Sequence, residues 1–371
     1  MIKIKIMTTT GATFLTNQTL DVNNLISVLK KSEIQEDKDK KIIEKLIDSF
    51  QNNDLSLLTP QQIFFLKNNE QEKWANYLIF RYKFINYPKN KTISEFPNHL
   101  VIEPVSACNL RCVMCFQIDE SFSNNKEYMG TMDLDLFKKI IDDAQKIGIK
   151  AITLTGRGEP TLHPKIGEML EYCSGKFFEL KMNTNATRLN TKLIHQILKS
   201  DITDLVFSVD SYQKEKYEKI RVRGIFEQIY DNIKEFSKIK KLEYKKSKCA
   251  TRISGVKVDK SMDDNEFKKF WDPYVDHIVL VDFDQKWDTY NNSKEDAGKN
   301  PCDYLWGEMN VWYDGSCNPC DVDYKSELNM GSVVKNSISE VWKNKQYEQF
   351  RKLHLGNSRQ ECSPCNQCPL W

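Results

Sequence analysis

The cysteines are the residues with the clearest chemical potential in this 371-residue chain. Nine of the eleven fall into two groups, whereas Cys173 and Cys249 stand alone. The groups are Cys108, Cys112 and Cys115, and then Cys302, Cys317, Cys320, Cys362, Cys365 and Cys368. Cysteines so closely spaced in a large chain are typical of metal ligands rather than of disulfides. We therefore expect two metal centres in separate parts of the chain.

The first group offers three thiolates spaced three and then two residues apart, enough to wrap one small cluster. A structural zinc site needs a fourth ligand, and no Cys or His follows Cys115 for about forty residues. Iron–sulfur clusters usually take four cysteines. Three cysteines would leave one iron open to a substrate or cofactor.

Short apolar runs suited to buried parallel strands begin at residue 99 and alternate with helical patterns. The predicted strands are Leu100–Ile102, Ala151–Leu154, Phe178–Met182, Asp204–Ser208, Ile253–Val258 and His277–Val281. The predicted helices are Leu134–Ile147, Lys165–Cys173, Thr191–Leu198, Phe226–Ile239 and Asn265–Trp271. This alternation predicts an α/β fold with a parallel sheet or a barrel-like curl of one. Chemistry in such folds collects where the strands end, and Cys108 follows the first strand.

The regions before and after this alternating pattern have different predicted structures. Residues 1–97 have helical periodicity and no cysteine, which predicts a helical N-terminal region opened by one short strand at Ile2–Ile6. The remaining divisions are a barrel at 98–283, a polar connector at 284–301 and a metal-held extension at 302–371. Within the extension, Asp314-Gly315 indicates a hairpin, and a helix is expected at Ile338–Leu353.

Composition excludes several classes of protein. The formal net charge is only +2, which gives no reason to expect nucleic acid or an anionic membrane as partner. No apolar run approaches the roughly 20 residues of a membrane span, and the first residues lack a secretory h-region. We expect a cytoplasmic protein.

The Cys-x3-Cys-x2-Cys motif at the end of the first strand resembles that of the radical S-adenosylmethionine (SAM) enzymes. The resemblance implies a partial (β/α)6 barrel and a 4Fe–4S cluster whose free iron binds SAM. It also implies reductive cleavage of SAM to a 5′-deoxyadenosyl radical that abstracts a substrate hydrogen. A reducing partner such as flavodoxin or ferredoxin would supply the electron.

Further segments match the family's SAM contacts at the ends of later strands. The segment after the second strand is similar to the family's Gly-Gly-Glu segment, although Arg157 replaces a glycine and Met114 of the cysteine loop replaces an aromatic. The resemblance implies cofactor-binding roles for Met114, Gly156, Arg157, Gly158, Glu159, Asn183, Asn185, Ser208, Asp210 and Arg252. Arg252 would equally suit a buried structural role.

The C-terminal cysteines resemble the SPASM/twitch extension of the same superfamily, which holds auxiliary 4Fe–4S clusters. Matching Pro-Cys positions imply ligation of one cluster by Cys302, Cys320, Cys365 and Cys368. Cys317 and Cys362 are then spare or serve a second cluster, and a zinc ribbon is the alternative for this part. Asp321 is a candidate catalytic base by the same resemblance, and Cys249 is a candidate thiol for returning a hydrogen atom.

The expected function is radical oxidation or epimerisation of a small polar molecule such as a sugar or amino sugar. One alternative is modification of a ribosomal peptide or protein. Against it, residues 1–97 do not show the strand–strand–helix order of the leader-peptide-binding module that such enzymes often carry. The alternative from another class is a non-catalytic iron–sulfur or zinc-binding scaffold.

Overall fold

A computed structural model describes residues 5–7, 13–15, 20–283 and 288–370. The chain divides into two compact units, residues 1–92 and 93–371. The division falls close to residue 97, the predicted end of the N-terminal region. Each unit is described by itself.

Unit 1 begins with two short strands that pair antiparallel, Lys5 opposite Leu15, and continues with four helices. The strands are β1 Lys5–Met7 and β2 Thr13–Leu15, and the helices are α1 Val22–Lys31, α2 Asp37–Gln51, α3 Pro60–Asn68 and α4 Trp74–Lys89. The helical prediction holds, and Ile2–Ile4 of the predicted strand lie outside the described residues. The expectation that this region lacks a strand–strand–helix order is wrong. Strands of only three residues are too short for alternation of apolar and polar residues to reveal them.

Unit 2 is built on one eight-stranded sheet. The strands of unit 2 in chain order, including two outside this sheet, are β3 His99–Ile102, β4 Arg111–Cys112, β5 Ala151–Leu154, β6 Glu179–Thr184, β7 Asp204–Ser208, β8 Arg221–Val222, β9 Ala250–Lys257, β10 His277–Asp282, β11 Glu308–Val311 and β12 Cys317–Asn318. The sheet order is β10-β9-β7-β6-β5-β3-β11-β12, while β4 and β8 form a separate ladder. All pairs in the sheet are parallel except β11 with β12. The six predicted strands are confirmed, and the C-terminal extension adds β11 beside β3.

Helices connect the parallel strands. The helices of unit 2 are α5 Glu120–Ser123, α6 Leu134–Ile147, α7 Ile166–Cys173, α8 Thr191–Lys199, α9 Lys214–Ile220, α10 Phe226–Glu243, α11 Asp264–Trp271, α12 Tyr304–Gly307, α13 Ile338–Trp342 and α14 Lys345–Leu355. The five predicted barrel helices are confirmed. The helix predicted at Ile338–Leu353 is instead two helices, because the Asn344 side chain caps a new start by accepting from Tyr347 N.

The sheet has a packed outer face and an accessible inner face. Alternate side chains such as Leu180, Met182 and Ile253 join the hydrophobic core beneath the helices. The residues between them point to the inner face, and several of these on β6 and β9 remain partly accessible. The inner face of the sheet is therefore less tightly covered than the outer face along these strands. In the described part of the chain no helix has the length and apolar character needed to cross a membrane.

Candidate active site

The loop after β3 carries the first cysteine group at the carboxyl end of the sheet. Cys112 lies in β4 opposite Arg221 of β8, and Cys115 N donates to Cys112 O at 3.0 Å. Cys108 Sγ accepts from Leu110 N at 3.4 Å. Burial is the main cause that raises the pKa of Cys108 and of Cys115 to about 12. These thiols are thus held in a shielded loop, where iron would have to displace their protons.

The segment after β5 packs directly against this cysteine loop. A Cβ on Gly158 would lie 2.2 Å from Val105 O and 2.4 Å from Ala107 O, so only glycine fits. Glu159 N donates to Ala107 O at 3.0 Å. Gln117 ties the two segments together, because its Nε2 donates to Ser106 O and to Arg157 O. The main chain of this segment therefore approaches the start of the cysteine loop closely at Gly158.

Glu159 organises the ends of two strands. Its Oε1 accepts from Thr161 N, Thr161 Oγ1 and Thr184 Oγ1, and its Oε2 accepts from Asn185 N at 2.7 Å. Burial raises the pKa of this carboxyl, although the hydrogen bonds act in the opposite direction. Asn185 in turn donates through Nδ2 to Asn109 Oδ1 at 3.0 Å. Both predicted cofactor residues are therefore engaged with the chain around Cys108.

Arg157 is buried in an ion pair with Glu103, at the end of β3. Its Nε and Nη2 donate to the two carboxylate oxygens at 2.8 and 2.7 Å, and its Nη1 donates to Tyr324 O at 3.1 Å. The guanidinium also lies 4.3 Å from the ring centre of Trp312. Arg157 thus joins the barrel to the C-terminal extension through its side chain.

A second buried ion pair lies at the end of β7. Arg221 Nε donates to Asp210 Oδ2 at 2.7 Å, and Arg221 Nη1 lies 3.9 Å from Cys112 Sγ. Asp210 Oδ1 accepts from Val256 N at 2.8 Å. Ser208 and Met114 are partly accessible, while Asn183 Oδ1 is buried and accepts no hydrogen bond from the described residues. Asn183 has an open acceptor at this edge of the sheet, as a ligand-binding residue would.

The C-terminal cysteines separate into those that approach one another and those that do not. Burial is the first cause that raises the pKa of Cys302, Cys320 and Cys365, and neighbouring thiols of the extension add to each rise. The set of neighbouring thiols is Cys302, Cys320, Cys365 and Cys368, of which Cys368 acts on the pKa of Cys302 and of Cys365. Arg359 holds its last part, donating to Cys365 O at 3.3 Å and to Cys368 O at 3.1 Å. These are the four cysteines that the resemblance assigns to one cluster.

The other candidate residues of this part lie apart from that set or at its margin. Cys317 is fully buried in the hydrophobic core, with its Sγ 3.7 Å from Gly315 O. Cys362 is partly buried, as are Cys302, Cys320 and Cys365, and its thiol contributes to the raised pKa of Cys365. Asp321 is partly accessible and adjoins Cys320.

Cys249 is not brought to the site. It directly precedes β9, at the amino end of the sheet, and belongs to the hydrophobic core. The cysteine loop follows the carboxyl end, and Ser254 on the same strand is about 16 Å further along at 3.3 Å per residue. The hydrogen-donor role expected for Cys249 finds no support in this placement.

Sequence reasoning missed several residues that shape the site. Glu103, Gln117, Arg221 and Arg359 are all buried and bind the cysteine loops or their neighbours. The indication that the sequence offered was residue type, because a Glu, Arg or Gln that is fully buried generally has a partner. Their partners are distant in sequence, so the sequence alone could not name them.

The donor sets fit iron–sulfur clusters. Three buried or partly buried cysteines follow β3, and the extension holds four neighbouring cysteines, a donor set that suits the thiolate ligation of such clusters. Among the described residues, no three Cys, His, Asp or Glu side chains form a group that could hold a single metal ion.

Two family models match the chain. The model of the radical SAM superfamily matches residues 102–258, and that of SPASM, an iron–sulfur cluster-binding domain, matches residues 302–369. The chain belongs to the radical SAM superfamily. These domains imply a SAM-binding 4Fe–4S cluster, auxiliary cluster ligation in the SPASM part, and SAM as cofactor.

Relatives of this radical SAM chain are matched over part of their length. It is 37% identical over 113 residues to the tungsten-containing aldehyde ferredoxin oxidoreductase cofactor-modifying protein of Pyrococcus furiosus, covering 30% of each chain. It is 31% identical over 146 residues to the antilisterial bacteriocin subtilosin biosynthesis protein AlbA of Bacillus subtilis, covering 38% of this chain and 31% of AlbA. The matched stretches thus span less than a third of these curated relatives. Streptococcus suis SuiB bound to precursor peptide SuiA shares the fold, with TM-score 0.56, 15% identity and coverage of 95% of this chain and 87% of that chain.

Proposed function

We propose that this chain is a radical SAM enzyme that oxidises a residue of a peptide or protein substrate. The observation that carries the substrate class is the order of β1, β2 and α1 in unit 1, which is the order of a leader-peptide-binding module. The argument against a peptide substrate was the lack of a strand–strand–helix order, and the described residues of unit 1 have that order. The likeness to AlbA, a bacteriocin biosynthesis protein, favours the same substrate class.

The chemistry requires the cofactors that the family implies. When bound, the cluster and SAM supply a 5′-deoxyadenosyl radical for hydrogen abstraction, and an auxiliary cluster supplies an acceptor for the second electron of an oxidation. The residues proposed to hold the first cluster are Cys108, Cys112 and Cys115. Asn183, with its open amide oxygen, and Ser208 are proposed to contact SAM. A flavodoxin or ferredoxin is the proposed reductant.

This chain's own residues also have a role in proton movement. Oxidation at carbon releases one proton in addition to the abstracted hydrogen atom, so a base is needed near the substrate. We assign this role to Asp321, which is partly accessible and adjoins a proposed cluster ligand. An epimerisation would instead need an accessible thiol, and both Cys249 and Cys317 lie in the hydrophobic core. Their burial favours oxidation.

The substrate class is tested with reconstituted enzyme, SAM and dithionite under anaerobic conditions. Cell extract is separated by ultrafiltration into a peptide and protein fraction and a small-molecule fraction. We expect the first fraction to stimulate 5′-deoxyadenosine formation, and protease treatment to remove the effect. Stimulation by the small-molecule fraction that survives protease would restore the sugar hypothesis. Absence of 5′-deoxyadenosine under every condition would favour the non-catalytic scaffold.

The reaction type is tested in deuterated solvent once a modified peptide is isolated. Oxidation leaves a product lighter by two hydrogens, with no solvent deuterium at the reacting carbon. Return of hydrogen from a thiol inserts one deuterium, because S–H exchanges with water. A product of unchanged composition carrying that deuterium would contradict oxidation, and loss of the label in Cys249→Ala or in Cys317→Ala would identify the donor.

A further inference from the structure

Two cations line the inner face of the barrel below the carboxyl edge. Lys181 on β6 and Arg252 on β9 lie between residues whose side chains enter the outer core. Lys181 precedes Asn183 by two residues on the same face, and therefore lies about 7 Å below the cofactor edge. Arg252 is in register with Val206, two residues before Ser208, and lies at a similar depth.

Neither cation is neutralised by a direct partner. Among the described residues, neither Lys181 nor Arg252 makes an ion pair or a side-chain hydrogen bond, and Arg252 Nε is buried without an acceptor. The two charges also act on each other, because Arg252 contributes, after burial, to lowering the pKa of Lys181 to about 8. A buried cation without an acceptor is costly unless a ligand supplies one.

The acids around this pair are engaged elsewhere. Glu179, Asp204 and Glu308 raise the pKa of Lys181, but in the described part of the chain none of them forms an ion pair with it. Asp204 accepts from Thr203 Oγ1 at 3.0 Å. Glu308 lies 3.5 Å from His99 Nδ1. The acids therefore have neighbours of their own, while the two cations lie partly buried on the inner face of the sheet.

We propose that Lys181 and Arg252 bind a carboxylate of the substrate inside the barrel. The inference rests on the proposed function, because it takes the substrate to be a peptide, whose anionic groups are carboxylates. Lys181 supplies a point charge and Arg252 supplies a planar fork that matches a carboxylate. The bound carboxylate would lie about 7 Å below the carboxyl edge of the sheet, where SAM is proposed to bind. The substrate carbons attached to that carboxylate would then extend toward this edge. The carboxylate is either an acidic side chain or the peptide's own C-terminus.

Calorimetric titration of the anaerobic, reconstituted holoenzyme with SAM distinguishes these sources. The probes are a blocked tripeptide with a central glutamate, its glutamine counterpart, the glutamine tripeptide with a free C-terminal carboxylate, glutarate, and inorganic phosphate. We expect one of the carboxylate peptides to bind at least about tenfold more tightly than the blocked glutamine peptide, the gain typical of a charge-assisted hydrogen bond. The tighter of the two identifies the source.

Variants assign the preference to this pair. Lys181→Met and Arg252→Met should each reduce the preference to about twofold or less, whereas Lys181→Arg, which keeps the charge, should retain it. Lys199→Met, at an exposed position on α8, is the matched control and should leave it unchanged. Melting curves of each variant exclude misfolding, and Arg252→Met carries the test if Lys181→Met fails to fold.

Three outcomes would overturn the inference. They are equal binding of acidic and neutral probes, a preference that survives both methionine variants, and tighter binding of phosphate than of glutarate. Glutarate binding that depends on Lys181 while no peptide binds would keep the carboxylate site and reject the peptide substrate. SAM cleavage is followed separately, so its loss in wild type would count against the proposed function alone.

Discussion

The buried Glu103–Arg157 pair gives the sharpest test of how the site is held. Arg157→Met keeps a long side chain over Trp312 but removes the cation and its bond to Tyr324 O. Glu103 would then remain buried with two main-chain donors, the residue-157 N at 2.8 Å and Tyr313 N at 3.3 Å. The negative charge of Glu103 would no longer be compensated by the positive charge of Arg157.

The magnitude follows from that burial. Breaking a buried pair by removing one partner costs about 3–5 kcal/mol, whereas an exposed pair contributes about 0–1 kcal/mol. At about 2–4 °C per kcal/mol, the melting temperature should fall by about 6–20 °C. Adding Glu103→Gln removes the lone charge, so the double variant should be more stable than Arg157→Met alone.

The assay is thermal melting of the reconstituted protein under anaerobic conditions. Lys214→Met is the matched control, because Lys214 pairs with Glu227 at 2.6 Å in an exposed position. A fall in Arg157→Met no larger than in this control would refute the reasoning. So would a double variant whose loss equals the sum of the two single losses, since additivity would mean that the two charges do not interact.

Three further predictions address the clusters and the barrel interior. Changing the first cysteine group to alanine should abolish 5′-deoxyadenosine formation and leave the auxiliary iron in place, because the two groups lie on different parts of the chain; product above background would contradict this. The holoenzyme should hold about eight irons, following from two cubane clusters, and Cys317→Ser should lose none because Cys317 is in the core; about twelve irons would indicate a second auxiliary cluster. The free energy of unfolding should rise by up to about 3 kcal/mol between about pH 8 and pH 10.5 through Lys181, whose lowered pKa of about 8 means that the unfolded chain binds the proton more readily in that window. Urea unfolding at several pH values measures this, and Lys181→Met should lack that part of the rise.

Much of the fold could be read from the sequence because the signals were local. All six barrel strands and the five helices between them were located, since each buried run or amphipathic face repeats over several residues. Shorter elements escaped for the same reason. β2 has three residues, and β4 and β8 have two each, so none shows a period.

The candidate site was readable where spacing carried the information. The four auxiliary cysteines implied by the Pro-Cys positions include Cys302, Cys320 and Cys365, which lie close enough for their thiols to act on one another's pKa, and their role as ligands stays a prediction. Side-chain partners were not readable. Arg157 finds Glu103 across a separation of 54 residues, and Arg221 reaches Cys112 across 109. Such partners are set by strand order and register, which a single sequence does not give.

Buried charges are compensated differently at the carboxyl edge of the barrel and in the interior below it. At the carboxyl edge, the chain itself supplies donors to the buried carboxylates of Glu103, Glu159 and Asp210, and this fixes the loops around the cysteines. About 7 Å below, Lys181 and Arg252 receive no such compensation from the described residues. Burying these two cations without acceptors is unfavourable, and the binding of an anion between them would offset that cost. The substrate carboxylate would then bind at the level of Lys181 and Arg252. The reacting carbon would lie above it, at the carboxyl edge of the sheet, where the cysteine loop is held.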